Sequence, residues 1–495
     1  MSPARAIPVR IPNPAYLADH RAEGRSVLPA VEALQLLARV AAGAEPGCDV
    51  RASRQARFLR FLETPADRSP VEAEVQLEGA GGALVARLVT RRAAGRAGIA
   101  RARTHVEVTF GRADPGRTAA APPLDELACL PGPCCSFPAE RLYAELVPFG
   151  PCFHNAVGRV WLGEAGAVGR LVAAAHPAPD GPLGSPFPLD AAFHLACAWG
   201  QRYAGELTFP TGYAERRVLA PIRPGEEVFC RLAPAGREAG RLFFDLWLLD
   251  DRGALREAAL GVCMQDVSQG RLRAADWVRA RGGDPLAPLR AACRGLVALE
   301  LDAVSPAAVH ALTPAERARL STQGERRRRS FLGARLALKR LGRLLSGDRT
   351  SPPEALESSA PDGVLPACPG FAGHASASHD SRFAVAAADG RPLGVDVERM
   401  AGRVLATRRM YLDADEAARV AASPLGELRA ATRAWCAKEA AAKACGFGLG
   451  GALERVRVTA IGEDRVALRV SAPALEAEAL VAEVDDHVFA LLVLG

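Results

Sequence analysis

A chain of 495 residues exceeds what one hydrophobic core usually supports, so two or three domains are expected; no apolar run is long enough to cross a bilayer. The net charge of +6, almost all from arginine, is too modest to demand nucleic acid as a partner and suits acidic proteins or phosphate-bearing molecules. The N-terminal MSPARAIPVRIPNPAYLADH lacks a secretory pattern and the twelve cysteines form no CxxC pair, so a cytoplasmic protein without a zinc or disulfide framework is expected.

From the N-terminus onward, short strand-like runs alternate with Gly/Pro turns, at Val71–Leu77, Leu84–Val89, His105–Phe110 and Leu242–Leu249. Two helical patterns interrupt them, Pro29–Ala42 and Leu189–Tyr203, each apolar on one face. Strands around one helix, occurring twice, indicate an internal duplication, and the Pro/Ala/Gly-rich Asp114–Pro138 reads as the linker between the halves. Polar, Gly/Pro-punctuated sequence from Gln269 to Arg294 marks the main boundary. Beyond it come a strand from Leu296, a basic helix over Glu325–Leu345, a Pro/Ser/Gly-rich loop, a strand-like pair around Ala375 and Val395, a long helix over Leu428–Cys445, and closing strands. The expected domains are 1–285, with repeats over about 1–115 and 136–275, and 290–495. The four arginines Arg326–Arg329 read mainly as a solvated face.

In the first half, YLADHRAEGRSVLPAVEAL sets His20, Gly24 and Pro29 in an HxxxGxxxxP pattern leading into the first helix. Proline suits a helix's first turn, glycine allows backbone to approach a ligand, and the helix N-terminus offers N–H groups to a thioester carbonyl. In the second half, PFPLDAAFHLACAW sets Asp190 and His194 four apart at the start of the other helix, so His20 and Asp190 hold similar places in the two repeats. The layout resembles the dehydratase domains of polyketide and polyunsaturated fatty acid synthases, and PFGPCF at Pro148–Phe153 resembles their YGPxF segment, with Phe149 in place of Tyr. The resemblance implies a double hotdog with one His and one Asp across the repeat interface. Dehydration of a β-hydroxyacyl thioester removes a proton from C2 and protonates the departing C3 hydroxyl. His20 is then the base, Asp190 the acid and His194 the residue that orients Asp190, and burial is expected to raise the Asp190 pKa. A non-catalytic hotdog that only docks a carrier protein is the alternative.

In the last third, RPLGVDVERM places Asp396 and Glu398 two apart in a strand-like context, on one face. RAWCAKEAAAKACG places Trp435, Glu439 and Lys443 at successive intervals of four on a helix, in one stripe. If that helix packs across the strand, Glu439 completes a three-carboxylate oxygen site suited to Mg²⁺, and Lys443 meets the same phosphates. GVDVE followed by WCAKEAAAKA is similar to the paired signature of the surfactin-type phosphopantetheinyl transferases. ASASHDSRFAVAAA resembles their histidine-bearing strand and RRRRSFLGARLALKRL their Arg-rich helix, so the match spans Leu296–Gly495.

That resemblance implies an α+β chain, a double hotdog followed by a two-subdomain α+β transferase. It also implies transfer of 4′-phosphopantetheine from coenzyme A to a serine of an acyl carrier protein supplied in trans. Asp396, Glu398 and Glu439 would bind Mg²⁺ on the coenzyme A pyrophosphate, with Glu439 also deprotonating the serine. Lys443 would offset the leaving diphosphate, and His379 and Arg335 would hold the nucleotide end. Asp380 stands where the family usually has Ser, an acid expected to weaken the nucleotide contacts. No carrier motif with a modifiable serine is recognisable, because the flanks of Ser381 fit a strand.

Overall fold

The period-two alternation expected of half-buried strands is realised in runs such as Leu84, Ala86, Leu88 and Val106, Val108, Phe110, whose side chains enter one core with Leu34, Leu37 and Ala41 of the helix Ala30–Ala44. The computed structural model describes residues 5–80, 82–94, 99–111, 121–174, 181–268, 271, 273–279, 283–360, 366–447, 454–471 and 474–495. Asp114–Ala120 of the expected linker, parts of the expected boundary (269–270, 272 and 280–282) and part of the Pro/Ser/Gly-rich loop (361–365) lie outside them. The chain divides into two compact units, Met1–Ala121 with Cys135–Arg281, and Pro122–Cys134 with Gly282–Gly495.

The first unit is a twelve-stranded antiparallel sheet built as two hotdogs. One half runs Arg5–Ile11, Val71–Ala80, Ala83–Ala94, Ile99–Gly111, Ala52–Phe58. The other runs Phe209–Val218, Leu255–Gln265, Arg241–Leu249, Glu227–Glu238, Gly166–Val172, Ala156–Gly163, Cys135–Pro138. They join where Ala52–Phe58 pairs with Phe209–Val218. Gly212 permits the close register there, since a Cβ would run into the Ala56 carbonyl. The second hotdog wraps the helix Phe187–Trp199, buried on almost every side as a central helix must be. The helix expected over Leu189–Tyr203 starts two residues earlier and ends in a π-turn, Gly200–Ala204.

The second unit carries two antiparallel sheets. Gly295–Glu300, Phe383–Asp389 and His374–His379 form a three-stranded sheet covered by the Arg-rich helix Glu325–Ser346. Leu393–Arg399, His487–Val493, Ala474–Val484, Arg465–Ser471 and Val456–Ile461 form a five-stranded sheet covered by the helix Glu427–Ala444. That helix presents Ala437, Ala440, Ala441 and Ala444 to the sheet, and Gly394 lets the strand come so close that a Cβ would collide with the Ala440 carbonyl.

The reading of Asp114–Pro138 as linker is corrected. Cys135–Pro138 is an edge strand of the hotdog sheet, and Pro122–Cys134 folds into the second unit. There Ala128 and Cys129 pack with Leu299, Leu336 and Leu341, and Asp125 makes a buried two-point ion pair with Arg343 (2.7 and 2.9 Å). The Pro-rich composition masks a short helix, Leu124–Leu127, that carries both the acid and the apolar residues. Among the described residues no helix is long and apolar enough to cross a membrane.

Candidate active sites

His20 ends a short 3-10 turn and enters a hairpin, Arg21–Ala22 against Arg25–Ser26, whose two-residue turn holds Glu23 and Gly24 at φ 51° and 79°. Gly24 serves the positive-φ turn, and a Cβ there would meet open space. The hairpin returns Val27 to His20: Val27 N donates to the His20 carbonyl and His20 Nδ1 faces the Val27 carbonyl, each at 3.0 Å. A carbonyl only accepts, which assigns the proton to Nδ1 and leaves Nε2 a basic lone pair. Burial lowers the His20 pKa against the opposing charge of Asp190, so the ring is held neutral.

Asp190 lies in the first turn of Phe187–Trp199 and His194 one turn on, both buried, with Nε2 3.2 Å from Oδ2 but without the alignment of a hydrogen bond. The Phe149 ring stacks on His20 at 4.5 Å between centroids and lies 5.0 Å from His194, so it is a packing plate between the two imidazoles. All four residues line one cavity of about 230 Å³ whose other walls are mostly apolar, among them Leu28, Phe193 and Met264. The expected rise in the Asp190 pKa is not found. Burial pushes it up, but the charge and then the close side-chain contact of His194, with the charge of His20 adding, outweigh burial, and the net direction is down.

In the second unit Asp396 is buried on the strand Leu393–Arg399, where its Oδ1 accepts from Ser378 Oγ (2.6 Å) and Lys443 Nζ (2.8 Å). Lys443 also donates to the Val395 carbonyl (3.0 Å). Glu398 accepts from Arg403 and from the Arg399 N–H. Glu439, 9% exposed on the facing helix, is pushed up to about 7 by burial and then by the charge of Asp396, with Lys443 opposing and Glu398 adding. The three carboxylates thus share one electrostatic field but not a finished ligand shell: among the described residues no group of three acidic, His or Cys side chains is arranged to hold a metal ion. Lys443 and Arg403 engage two of the three instead. An oxygen-only donor set whose members repel one another still fits a hard divalent cation, which would relieve that repulsion.

A family model described as the 4′-phosphopantetheinyl transferase superfamily matches residues 392–492, which hold Asp396, Glu398, Glu439 and Lys443. One described as the polyketide synthase dehydratase N-terminal domain matches residues 139–274, which hold Asp190 and His194. The chain joins a polyketide synthase dehydratase domain to a phosphopantetheinyl transferase superfamily domain. Similar solved structures include the dehydratase domain of a mycocerosic acid synthase-like polyketide synthase, at 17% identity over 54% of this chain and 93% of that one, TM-score 0.42. The dehydratase domain of PpsC from Mycobacterium tuberculosis, in complex with C12:1-CoA, is similar at 20% identity over 53% and 93%, TM-score 0.42. The dehydratase domain from the CurJ module of the curacin polyketide synthase is similar at 17% identity over 54% and 92%, TM-score 0.43. No curated protein matches.

In the transferase domain His379 is exposed at the end of its strand, its pKa lowered by desolvation and then by the charge of Lys443, so the two are electrostatic neighbours. Arg335 is committed elsewhere, donating to the Ser358 carbonyl and Ser359 Oγ, both at 2.9 Å. Arg319, which sequence reasoning missed, donates to the same Ser359 hydroxyl at 3.0 Å. The expected harm from Asp380 is corrected: Oδ1 accepts the Arg382 and Phe383 N–H groups (2.7 Å each) in the strand turn, and Oδ2 faces buried His487 (2.8 Å). The acid points into the protein. Arg327, Arg328 and Arg329 are exposed, as a solvated face requires, while the Arg326 side chain lies outside the described residues.

In the dehydratase domain, sequence reasoning missed His105, which lines the same cavity, and the buried pair of Tyr16 hydroxyl and Glu32 (3.0 Å). Both stand in segments whose apolar pattern drew attention away from the single polar residue.

Proposed function

We propose that the protein primes an acyl carrier protein and dehydrates β-hydroxyacyl chains tethered to it. The hotdog domain would cover about residues 1–285 less the Pro122–Cys134 excursion, and the transferase domain 290–495. The observation that carries the reading is the juxtaposition of Asp396, Glu439 and Lys443 on a strand and helix held in contact by Gly394.

In the transferase, Asp396, Glu398 and Glu439 would hold Mg²⁺, which offsets negative charge on the coenzyme A diphosphate when bound. Glu439 accepts the proton of the carrier serine. The serine oxygen bonds to the pantetheine-bearing phosphorus, and the bond from that phosphorus to the bridging oxygen breaks, releasing adenosine 3′,5′-bisphosphate. Lys443 offsets charge on the leaving phosphate, and His379 holds the nucleotide end. Intact-mass analysis of apo-carrier proteins incubated with the protein, coenzyme A and Mg²⁺ tests this: the phosphopantetheine adduct is expected, and its absence across several carriers overturns the transfer.

In the dehydratase, His20 Nε2 takes the C2 proton while Asp190, charged with a proton, passes it to the C3 hydroxyl, which leaves as water. His194 beside Asp190 holds the carboxyl in place, and the apolar cavity keeps bulk water from the acyl chain. The stack of Phe149 on His20 needs no hydroxyl, so the Tyr-to-Phe departure is compatible with the reaction. The lowered Asp190 pKa is the one observation favouring a docking-only hotdog. Asp190→Asn assayed with a β-hydroxyacyl carrier substrate separates the two, since loss of an activity the wild type possesses establishes catalysis. We place the protein in the cytoplasm, where coenzyme A and apo-carrier proteins occur together.

A further inference from the structure

The dehydratase cavity holds a third histidine that the reaction does not use. His105, on the strand Ile99–Gly111, is buried, and its two ring nitrogens have separate partners. Nδ1 faces two carbonyls, those of Arg60 (3.3 Å) and Phe61 (3.2 Å), and Nε2 lies 2.8 Å from Thr90 Oγ1. Carbonyls only accept, so Nδ1 carries the proton and Nε2 accepts from the threonine. Burial lowers the ring's pKa, the two carbonyls oppose that, and Arg103 and Arg60 lower it further, so the ring is neutral with no lone pair left for substrate.

What this ring grips is the cavity rim. The strand Ala52–Phe58 leaves the sheet at Phe58, and the segment that follows is fastened to residue 105 from both sides: Leu59 N (2.8 Å) and Arg60 N (3.3 Å) donate to the His105 carbonyl, and the ring donates back. Leu59 and Phe61, 50% and 48% exposed, stand on this segment and line the cavity. The segment then pairs with the chain just before the first helix, through Leu28 N to the Leu62 carbonyl (2.8 Å), a Val27–Glu63 bridge, and Thr64 N to the Ser26 carbonyl (2.9 Å). Val27 is the residue whose carbonyl fixes the proton on His20 Nδ1.

We propose that His105 is a positioning residue for the base His20, acting through the rim segment Leu59–Leu62 and its pairing with Val27. The proposal rests on the dehydratase reading for its kinetic effect but not for its structural one. The test uses the full-length protein in three forms, wild type, His105→Phe, which keeps the ring shape without the donor, and His105→Asn, whose amide donates to the same carbonyls. Two readouts are taken: kcat and KM for a β-hydroxyacyl carrier substrate, and the ¹⁵N ring resonances of His20, assigned by its own substitution. His105→Phe is expected to lower kcat about 10- to 100-fold at nearly constant KM, because a base displaced by an ångström loses rate at that scale. It should also move His20 away from the pure Nδ1–H tautomer, and His105→Asn should restore both.

Unchanged His20 resonances with unchanged kcat overturn the proposal, and so does a change in KM alone. If the wild type dehydrates nothing, the functional reading fails separately, and the His20 resonances alone decide the linkage. Should His105→Phe not fold, Thr90→Val carries the test. Loss of the hydroxyl leaves Nε2 without its donor and loosens the orientation of the ring against the two carbonyls, with the same direction of effect at smaller size. No change in either readout in Thr90→Val then overturns the proposal.

Discussion

Glu32 sits in the first turn of the helix Ala30–Ala44, 3% exposed, with one oxygen taken by the Tyr16 hydroxyl. Burial, with Asp190 adding repulsion, pushes its pKa from 4.5 up to about 8, against the Tyr16 hydrogen bond. A carboxyl whose folded pKa is raised favours folding in its protonated form. The stabilisation is whole below the unfolded value and drains away as pH climbs through about 8. Thermal melts of the wild type should therefore weaken between pH 5 and 8.5 by an amount on the order of a few kcal/mol that Glu32→Gln largely removes. An equal slope in the variant would mean the carboxyl ionises freely. On the proposed transferase reading, Glu439→Gln should cut phosphopantetheine transfer by at least about 100-fold, read by intact mass, because it would remove both a ligand charge and the proton acceptor. At this scale residue types recurring at fixed spacing, as in Asp396, Glu398, Glu439 and Lys443, let the sequence foretell which side chains become neighbours. It was mute where a role depends on who faces whom. Asp380 reads as a misplaced acid until its turn and His487 are seen, and nothing in the letters predicts that two imidazoles outweigh burial at Asp190.

Among elements, the contact between strand Leu393–Arg399 and helix Glu427–Ala444 sets the proposed transferase site, and it leaves no room for a side chain at 394. Gly394→Val should force them apart, destabilise the transferase domain by about 1–3 kcal/mol or more, and abolish transfer; denaturant melts paired with intact mass check it. Asp125 and Arg343 tie the short helix Leu124–Leu127 to the Arg-rich helix, 0% and 3% exposed at their side chains. Asp125→Ala leaves a buried guanidinium unpaired and should cost about 3–5 kcal/mol by urea melts, whereas replacing both partners by apolar residues should recover most of it. The long helices were legible because each has an apolar stripe of the right period. The Leu124–Leu127 turn was not, because four residues give no period to read and prolines on either side dominate the composition.

At the level of the whole molecule, each proposed set of functional residues falls within one unit: His20, Asp190 and His194 in the first, the carboxylates and Lys443 in the second. Asp190→Asn should thus leave transfer at wild-type rate while Glu439→Gln leaves dehydration untouched, measured side by side on one preparation. A cross-effect beyond about threefold would show that the two sites are coupled.

The excursion of Pro122–Cys134 makes the boundary near residue 290 a poor place to cut. A fragment beginning there would keep Arg343 without its acid and expose the apolar bed that Ala128 and Cys129 fill. On the ribosome, the same thirteen residues emerge well before the rest of their core, so they wait unclaimed while the second hotdog is made. The two units are therefore not beads on a string but interleaved in sequence, and no single cut of the chain yields both of them whole.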